Sequence, residues 1–221
     1  MDEIVDYYDE LAKTYDSNRF ENTYGTFIDK EERAILQQLL THSEEMVLDM
    51  PCGSGRFLNF AQLGIDASKE MVRVSQAKFP SKSISHADAA QTQIDDHTID
   101  TIISFHFFMH LNEEKMKQIL KECERILKPQ GRIIFDIPSA KRRKLLQDKR
   151  TNWHGGFSLT NKEISELNPN FNIRRTYGLL FVPIHRIPKR LRSIFITIDR
   201  ILSNSFLKEY SSYQIIELVK K

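Results

Sequence analysis

The run Pro51-Cys52-Gly53-Ser54-Gly55 follows the apolar stretch Met46-Val47-Leu48-Asp49-Met50. Glycines at 53 and 55 reach backbone angles that a Cβ forbids and let the main chain approach a ligand, and a helix after them would offer unpaired amides to a carboxylate. Asp66 ends the short run Gly64-Ile65-Asp66, where a carboxylate can accept hydrogen bonds from the two vicinal hydroxyls of a ribose. A third acid, Asp88, follows in His86-Ala87-Asp88-Ala89. His106 and His110 lie in Ser104-Phe105-His106-Phe107-Phe108-Met109-His110. Histidine's ordinary pKa near ~6.5 suits it to proton transfer at neutral pH. These residue types suggest a nucleoside-like ligand with a candidate base beside it.

Such residues work together only if strand ends gather them. Residues 46–50, 64–66, 83–86, 99–105 and 132–137 read as strands, with helices over 56–62, 68–79 and 113–127 between them. Strands separated by helices build a parallel sheet covered on both faces, with ligands outside the carboxyl ends of its strands. Helical spacing of apolar residues predicts two further helices ahead of the sheet, at 4–15 and 26–40. In the tail, a capping box at Thr160–Glu163 opens a helix. Strands at 172–182 and 212–219 enclose another helix at 188–206. No linker or repeat divides the chain, so one α/β doubly wound domain over 1–221 is expected. A dinucleotide fingerprint would need a small residue at 58, and Leu58 stands there.

Taken in order, VLDMPCGSGRF, GIDASKEM, HADA, IDTIISFHFFMHL and LKPQGRIIFDIP resemble the motifs of the class I S-adenosylmethionine-dependent methyltransferases over roughly residues 45–138. The resemblance implies S-adenosyl-L-methionine as cofactor and a Rossmann-like, seven-stranded sheet, mostly parallel with an antiparallel C-terminal strand. It implies Asp49, Pro51, Cys52, Gly53 and Gly55 around the methionine part and Asp66 on the ribose. Asp88 and Ala89 would meet the adenine edge, Ala67 and Met71 the adenine or ribose, and Ser104 and Phe105 the sulfonium. Pro51 stands where the family usually has glycine. Only 10 residues separate Gly55 from Asp66, leaving room for about two helical turns.

The segments Tyr7-Tyr8-Asp9 and Tyr15-Asp16-Ser17-Asn18-Arg19-Phe20 resemble the lid helix that many small-molecule members carry. Residues 1–44 would then be lid helices, 45–138 the cofactor core, and 139–221 the acceptor side, with an insert at about 183–210. Tyr15 and Arg19 could close over the cofactor, the guanidinium pairing with its carboxylate; equally, the tyrosines could be core anchors. Methyl transfer is a direct displacement, so positioning and water exclusion supply most of the acceleration. A base helps only where the acceptor loses a proton. His106 is the first candidate and His110 the second, with loop packing as the alternative for both. The Trp153-His154-Gly155-Gly156 loop either shapes the acceptor pocket or is merely exposed.

The formal net charge is only +2. Residues 1–138 nevertheless carry 15 Lys+Arg against 24 Asp+Glu, and the remainder carries 17 against 6. Basic groups include Lys141-Arg142-Arg143-Lys144, Arg174-Arg175, and Lys189, Arg190, Arg192 and Arg200 on the insert helix, whose other side shows Leu191, Ile194, Phe195, Ile198, Ile201 and Leu202. An anionic small-molecule acceptor, an acidic membrane surface or a lipid-linked substrate would suit this patch. Packing of the stripe, with the cations paired to the acidic half, would also account for it. Nucleic acid is disfavoured, because no recognition module is visible; an RNA methyltransferase is the weaker alternative, beside a non-catalytic cofactor-binding regulator or scaffold. Neither Cys52 nor Cys123 belongs to a cluster with zinc-ligand spacing, so no metal is expected. The acidic start and the lack of a long apolar run lead to the expectation of a cytoplasmic protein, with its oligomeric state open.

Overall fold

The apolar runs become seven strands of one sheet in the computed structural model, which describes residues 2–41, 44–148, 153 and 156–221. They are β1 (Val47–Asp49), β2 (Leu63–Asp66), β3 (Ser83–His86), β4 (Ile99–Ser104), β5 (Leu127–Pro138), β6 (Phe171–Leu179) and β7 (Tyr213–Lys220), in spatial order β3-β2-β1-β4-β5-β7-β6. β1 pairs in parallel with both β2 and β4, so the order reverses beside it. That reversal opens a crevice at the strands' carboxyl ends. β7 runs antiparallel to both β5 and β6.

Helices cover the sheet as α1 (Asp2–Leu11), α2 (Tyr15–Phe20), α3 (Thr23–Leu39), α4 (Lys69–Lys78), α5 (Glu113–Ile126), α6 (Ala140–Leu145), α7 (Asn161–Leu167) and α8 (Arg192–Ser203). Alternation along β5 sends Ile133, Phe135 and Ile137 into one core with Met116, Ile119 and Cys123 of α5. Ile134 goes into the other core with Leu36 of α3, Leu58 and Ile103. Both sheet faces are therefore sealed, and polar side chains gather at the strand ends. No helix among the described residues is long and apolar enough to cross a membrane.

Four expectations change. The helix over 56–62 is instead a series of turns, in which Leu58 N donates to Gly55 O and Phe60 N to Phe57 O. The Arg56 carbonyl is taken by the Arg33 guanidinium, and Leu58 drops onto β2, where a Cβ at Gly64 would lie 2.9 Å from it. The N-terminal helix over 4–15 breaks at residues 12–14, which lets Asp9 and Asp16 reach different parts of the core. β6 stops at Leu179 because Leu180 turns to φ +60°. The insert helix begins at Arg192 after a short 3-10 turn, so Arg190 precedes it. The expected capping box is present: Thr160 Oγ1 accepts from Glu163 N, and the Glu163 carboxylate accepts from Thr160 N.

Candidate active site

A cavity of about 920 Å³, its open mouth included, lies where β1, β2 and β4 end. Gly53, at φ +52°, turns the chain so that its amide donates to Asp66 Oδ2, while Asp66 Oδ1 accepts from Ser68 N, each at 2.8 Å. Burial nonetheless pushes the Asp66 carboxyl up to about 6, against the pull of the Ser68 and Gly53 amides. Burial also raises the Asp49 carboxyl well above its ordinary range, and Asp49 Oδ2 is buried without a hydrogen-bond partner. The Cys52 thiol is pushed up by burial as well, so it is no nucleophile.

Of the sequence-derived candidates, Tyr15, Asp49, Pro51, Cys52, Gly53, Asp66, Ala67, Met71, Ala89, Phe105, His106 and His110 line this cavity. Gly55 stands behind the turn at φ +89°, where a Cβ would lie 3.0 Å from the Phe79 ring. Asp88 turns away, accepting from Ala90 N and pairing with Lys115 at 3.3 Å. Ser104 is buried and does not line the cavity. Arg19 belongs to a second cavity that shares Tyr8, Tyr15, His106 and His110 with the first and adds Asn18, Asn22, Tyr24, Arg143 and Tyr213.

α1 and α2 close over the first cavity. Asp9 accepts from Ser68 Oγ and from Glu70 N. Asp16 accepts from Ser54 Oγ and pairs with Lys78. Tyr8 Oη lies 3.0 Å from His110 Nε2, and His110 Nδ1 lies 3.2 Å from the Trp153 carbonyl. Both nitrogens of His110 are thus engaged, one by Tyr8 of α1 and the other by Trp153; His154 and Gly155 lie outside the described residues.

His106 sits differently. Its backbone takes φ +56°, a strained conformation for a histidine, and its amide donates to Asp136 Oδ1 at 2.5 Å. Its Nε2 lies 2.9 Å from Glu32 Oε1, and Arg56 Nη2 lies 2.7 Å from Glu32 Oε2. Burial opposes ionisation of Glu32, but the Arg56 guanidinium and His106 overcome it and hold the carboxyl below its usual range. Burial alone would lower His106, yet Glu32 and Asp136 outweigh it and raise the imidazole. Burial lifts the Asp136 carboxyl, with His106 pulling against it.

Sequence reasoning missed Glu32, Arg56 and Asp136. Two signals were present: Glu32 occupies the apolar helical row Ile28, Glu32, Leu36, and Asp136 is a lone acid inside Arg132–Ile137.

Residues 48–135 match a family model described as a methyltransferase domain. An uncharacterized protein of Methanocaldococcus jannaschii is 36% identical over 137 residues, covering 61% of this chain and 51% of that protein. An uncharacterized methyltransferase of Oceanobacillus iheyensis is 26% identical over 145 residues, covering 60% and 66%. The chain thus spans about half the length of the first relative. Among solved structures, the methyltransferase from Haloferax volcanii in complex with the Trm112 methyltransferase activator superposes with TM-score 0.70 at 19% identity, over 96% of this chain and 97% of that one. Phosphoethanolamine N-methyltransferase 1 of Haemonchus contortus gives 0.65 at 16%, over 100% of this chain and 49% of that one. The solved structures speak for the fold, and within it residues 48–135 match the methyltransferase domain.

Proposed function

We propose that this chain moves the methyl group of S-adenosylmethionine to an oxygen, nitrogen or carbon atom of a small molecule seated in the second cavity. The observation that carries the reading is that two unlike cavities meet at Tyr8, Tyr15, His106 and His110. The first fits the cofactor. The unpartnered, buried Asp49 Oδ2 suits a cationic amino group, because a buried carboxylate without a partner is costly. Asp66 would take the ribose hydroxyls while keeping the Gly53 and Ser68 amides, since each carboxylate oxygen has two lone pairs. Ala67, Met71 and Ala89 would wall the adenine.

When bound, the cofactor supplies an electrophilic methyl carbon on a sulfonium. The chain's own part is to orient both molecules and exclude water, which the latched α1 and α2 serve. Arg19 and Arg143 beside the second cavity favour an anionic acceptor. His106 is the group placed to take a proton, and His110 is a brace. The test is to offer the protein S-adenosylmethionine with a panel of small carboxylates and phosphate esters. Acceptor-dependent release of S-adenosylhomocysteine is expected. Calorimetric binding of the cofactor with no release across the panel would favour a cofactor-binding regulator instead.

The acceptor-side surface supports a further part of this reading, contact with an anionic lipid surface. α8 buries Asp199 and Ser203 while Leu191, Ile194, Ile198 and Ile201 are exposed along one face. Exposed Arg186 and Arg190 precede that face. An apolar stripe with arginines at one end suits the boundary between acidic headgroups and acyl chains.

A further inference from the structure

We propose that Glu32 and Asp136 act as positioning residues that make His106 a proton acceptor, and that the preferred acceptors therefore carry a proton on the attacking atom. This rests on the methyl-transfer reading above. Glu32 has no exposed side-chain surface, and its oxygens lie 2.9 Å from His106 Nε2 and 2.7 Å from Arg56 Nη2. The Glu32 charge 2.9 Å from Nε2 favours the proton there, although the two atoms are not aligned as a hydrogen bond, and this leaves the lone pair on Nδ1. Nε2 is buried, whereas the His106 side chain is 20% exposed and lines both cavities, so the acceptor is assigned to Nδ1. Asp136 Oδ2 lies 3.9 Å from Nδ1, buried and without a hydrogen-bond partner. At that distance it steadies an imidazolium by charge and not through a hydrogen bond. Asp136 Oδ1 meanwhile fixes the strained backbone of His106.

Charge gives the cluster its direction. With Glu32 and Asp136 both ionised, two carboxylates and one guanidinium leave an excess of one negative charge while the imidazole is neutral, and protonation of His106 cancels it. The groups facing His106 are Glu32 from α3, Asp136 from β5, Arg56 from the glycine turn and the Phe20 ring from α2. Tyr8, Tyr15, Arg19 and His110 share its cavity. The acceptor's lone pair bonds the methyl carbon, the sulfur–carbon pair returns to sulfur, and the acceptor's proton passes to Nδ1 and then to water. One atom each of Glu32, His106 and Asp136 would also lie within the reach of a metal ion, but Arg56 already supplies the cation on Glu32.

Two measurements test this, one of them independent of turnover. NMR titration of the His106 ring in the protein without cofactor should give a midpoint above that of a free histidine. Glu32→Gln and Asp136→Asn should each lower it. In the kinetic arm, kcat should rise with pH through the His106 midpoint, and the rise should move to lower pH in Glu32→Gln. His106→Ala should cut kcat roughly 100-fold with cofactor Kd nearly unchanged. An unmoved midpoint in both folded variants overturns the proposal. So does equal turnover of a tertiary amine and a hydroxyl or ammonium acceptor, or turnover lost to a chelator and restored by a divalent ion. Absence of any acceptor-dependent turnover would instead count against the methyl-transfer reading, with the titration still reporting on the cluster.

Discussion

Asp66 and Asp199 are both buried carboxylates that accept backbone amides, yet their surroundings differ. Asp66 receives Gly53 N and Ser68 N and faces a cavity. Asp199 receives Val182 N at 2.7 Å and fastens the loop after β6 to α8. In the sheet half, apolar side chains fill the cores, and Asp49 and Asp66 stand at strand ends beside the cavity. In α8 an acid points inward and isoleucines point out: Asp199 is 2% exposed, Ile194 60% and Ile201 65%. Arg200 pairs with Glu31 of α3, fixing the same rotation. The orientation of α8 is therefore set by polar fastening together with the packing of Phe195 and Ile196 on the core that holds Leu36, whereas that of the sheet helices is set mainly by hydrophobic burial.

If the sheet half depends on matched buried charge, the largest effect should come from unmatching it. Glu32→Ala leaves Arg56 and His106 facing each other with no carboxylate between them. It should destabilise the fold by about 3–5 kcal/mol, measured by urea unfolding. A loss below ~1 kcal/mol would mean that the cluster is solvated in solution and that the contrast with α8 is only one of position.

Such a cluster was beyond the reach of the sequence alone for a physical reason. The glycine turn and Asp66 were legible because strand, turn and acid are close along the chain, and the parallel sheet followed from alternating helices and strands. Glu32, Arg56 and Asp136 come from three distant segments, and nothing local says that they meet. The short link between Gly55 and Asp66 was visible, but the loss of its helix depended on Arg33 claiming the Arg56 carbonyl. For α8, periodicity revealed a stripe and could not say which way it faces, because the buried Asp199 decides that.

A smaller effect is expected where a buried acid faces ligand rather than countercharge. Asp66→Ala should weaken S-adenosylmethionine binding at least about tenfold, close to 1.4 kcal/mol, by calorimetry. The pH dependence sharpens the point. The ribose hydroxyls need the carboxylate, so affinity should hold above pH 6 and fall about tenfold per unit below it. For stability the sign is opposite: a carboxyl raised to about 6 contributes most below its unfolded pKa, and that contribution is lost as pH rises through about 6. Affinity independent of pH between 7 and 5 would remove Asp66 from the ribose.

The smallest effect on the fold should come from α8, where the comparison is most easily broken. Replacing Ile194 and Ile198 by serine removes large apolar side chains from a largely exposed face, Ile194 being 60% and Ile198 38% exposed. Serine and isoleucine have similar helix propensities, so stability should change by no more than about 0.5 kcal/mol. Equivalent changes in a sheet core would cost several times that. Cosedimentation with vesicles rich in an anionic phospholipid should nevertheless fall roughly tenfold, because apolar area no longer enters the interface. Vesicles of zwitterionic lipid should bind neither form well, since the arginines then lack a partner. Equal sedimentation of both forms would show that the stripe does not meet lipid. A large loss of stability would show that it is covered within the protein, and α8 would then obey the same burial rule as the sheet helices.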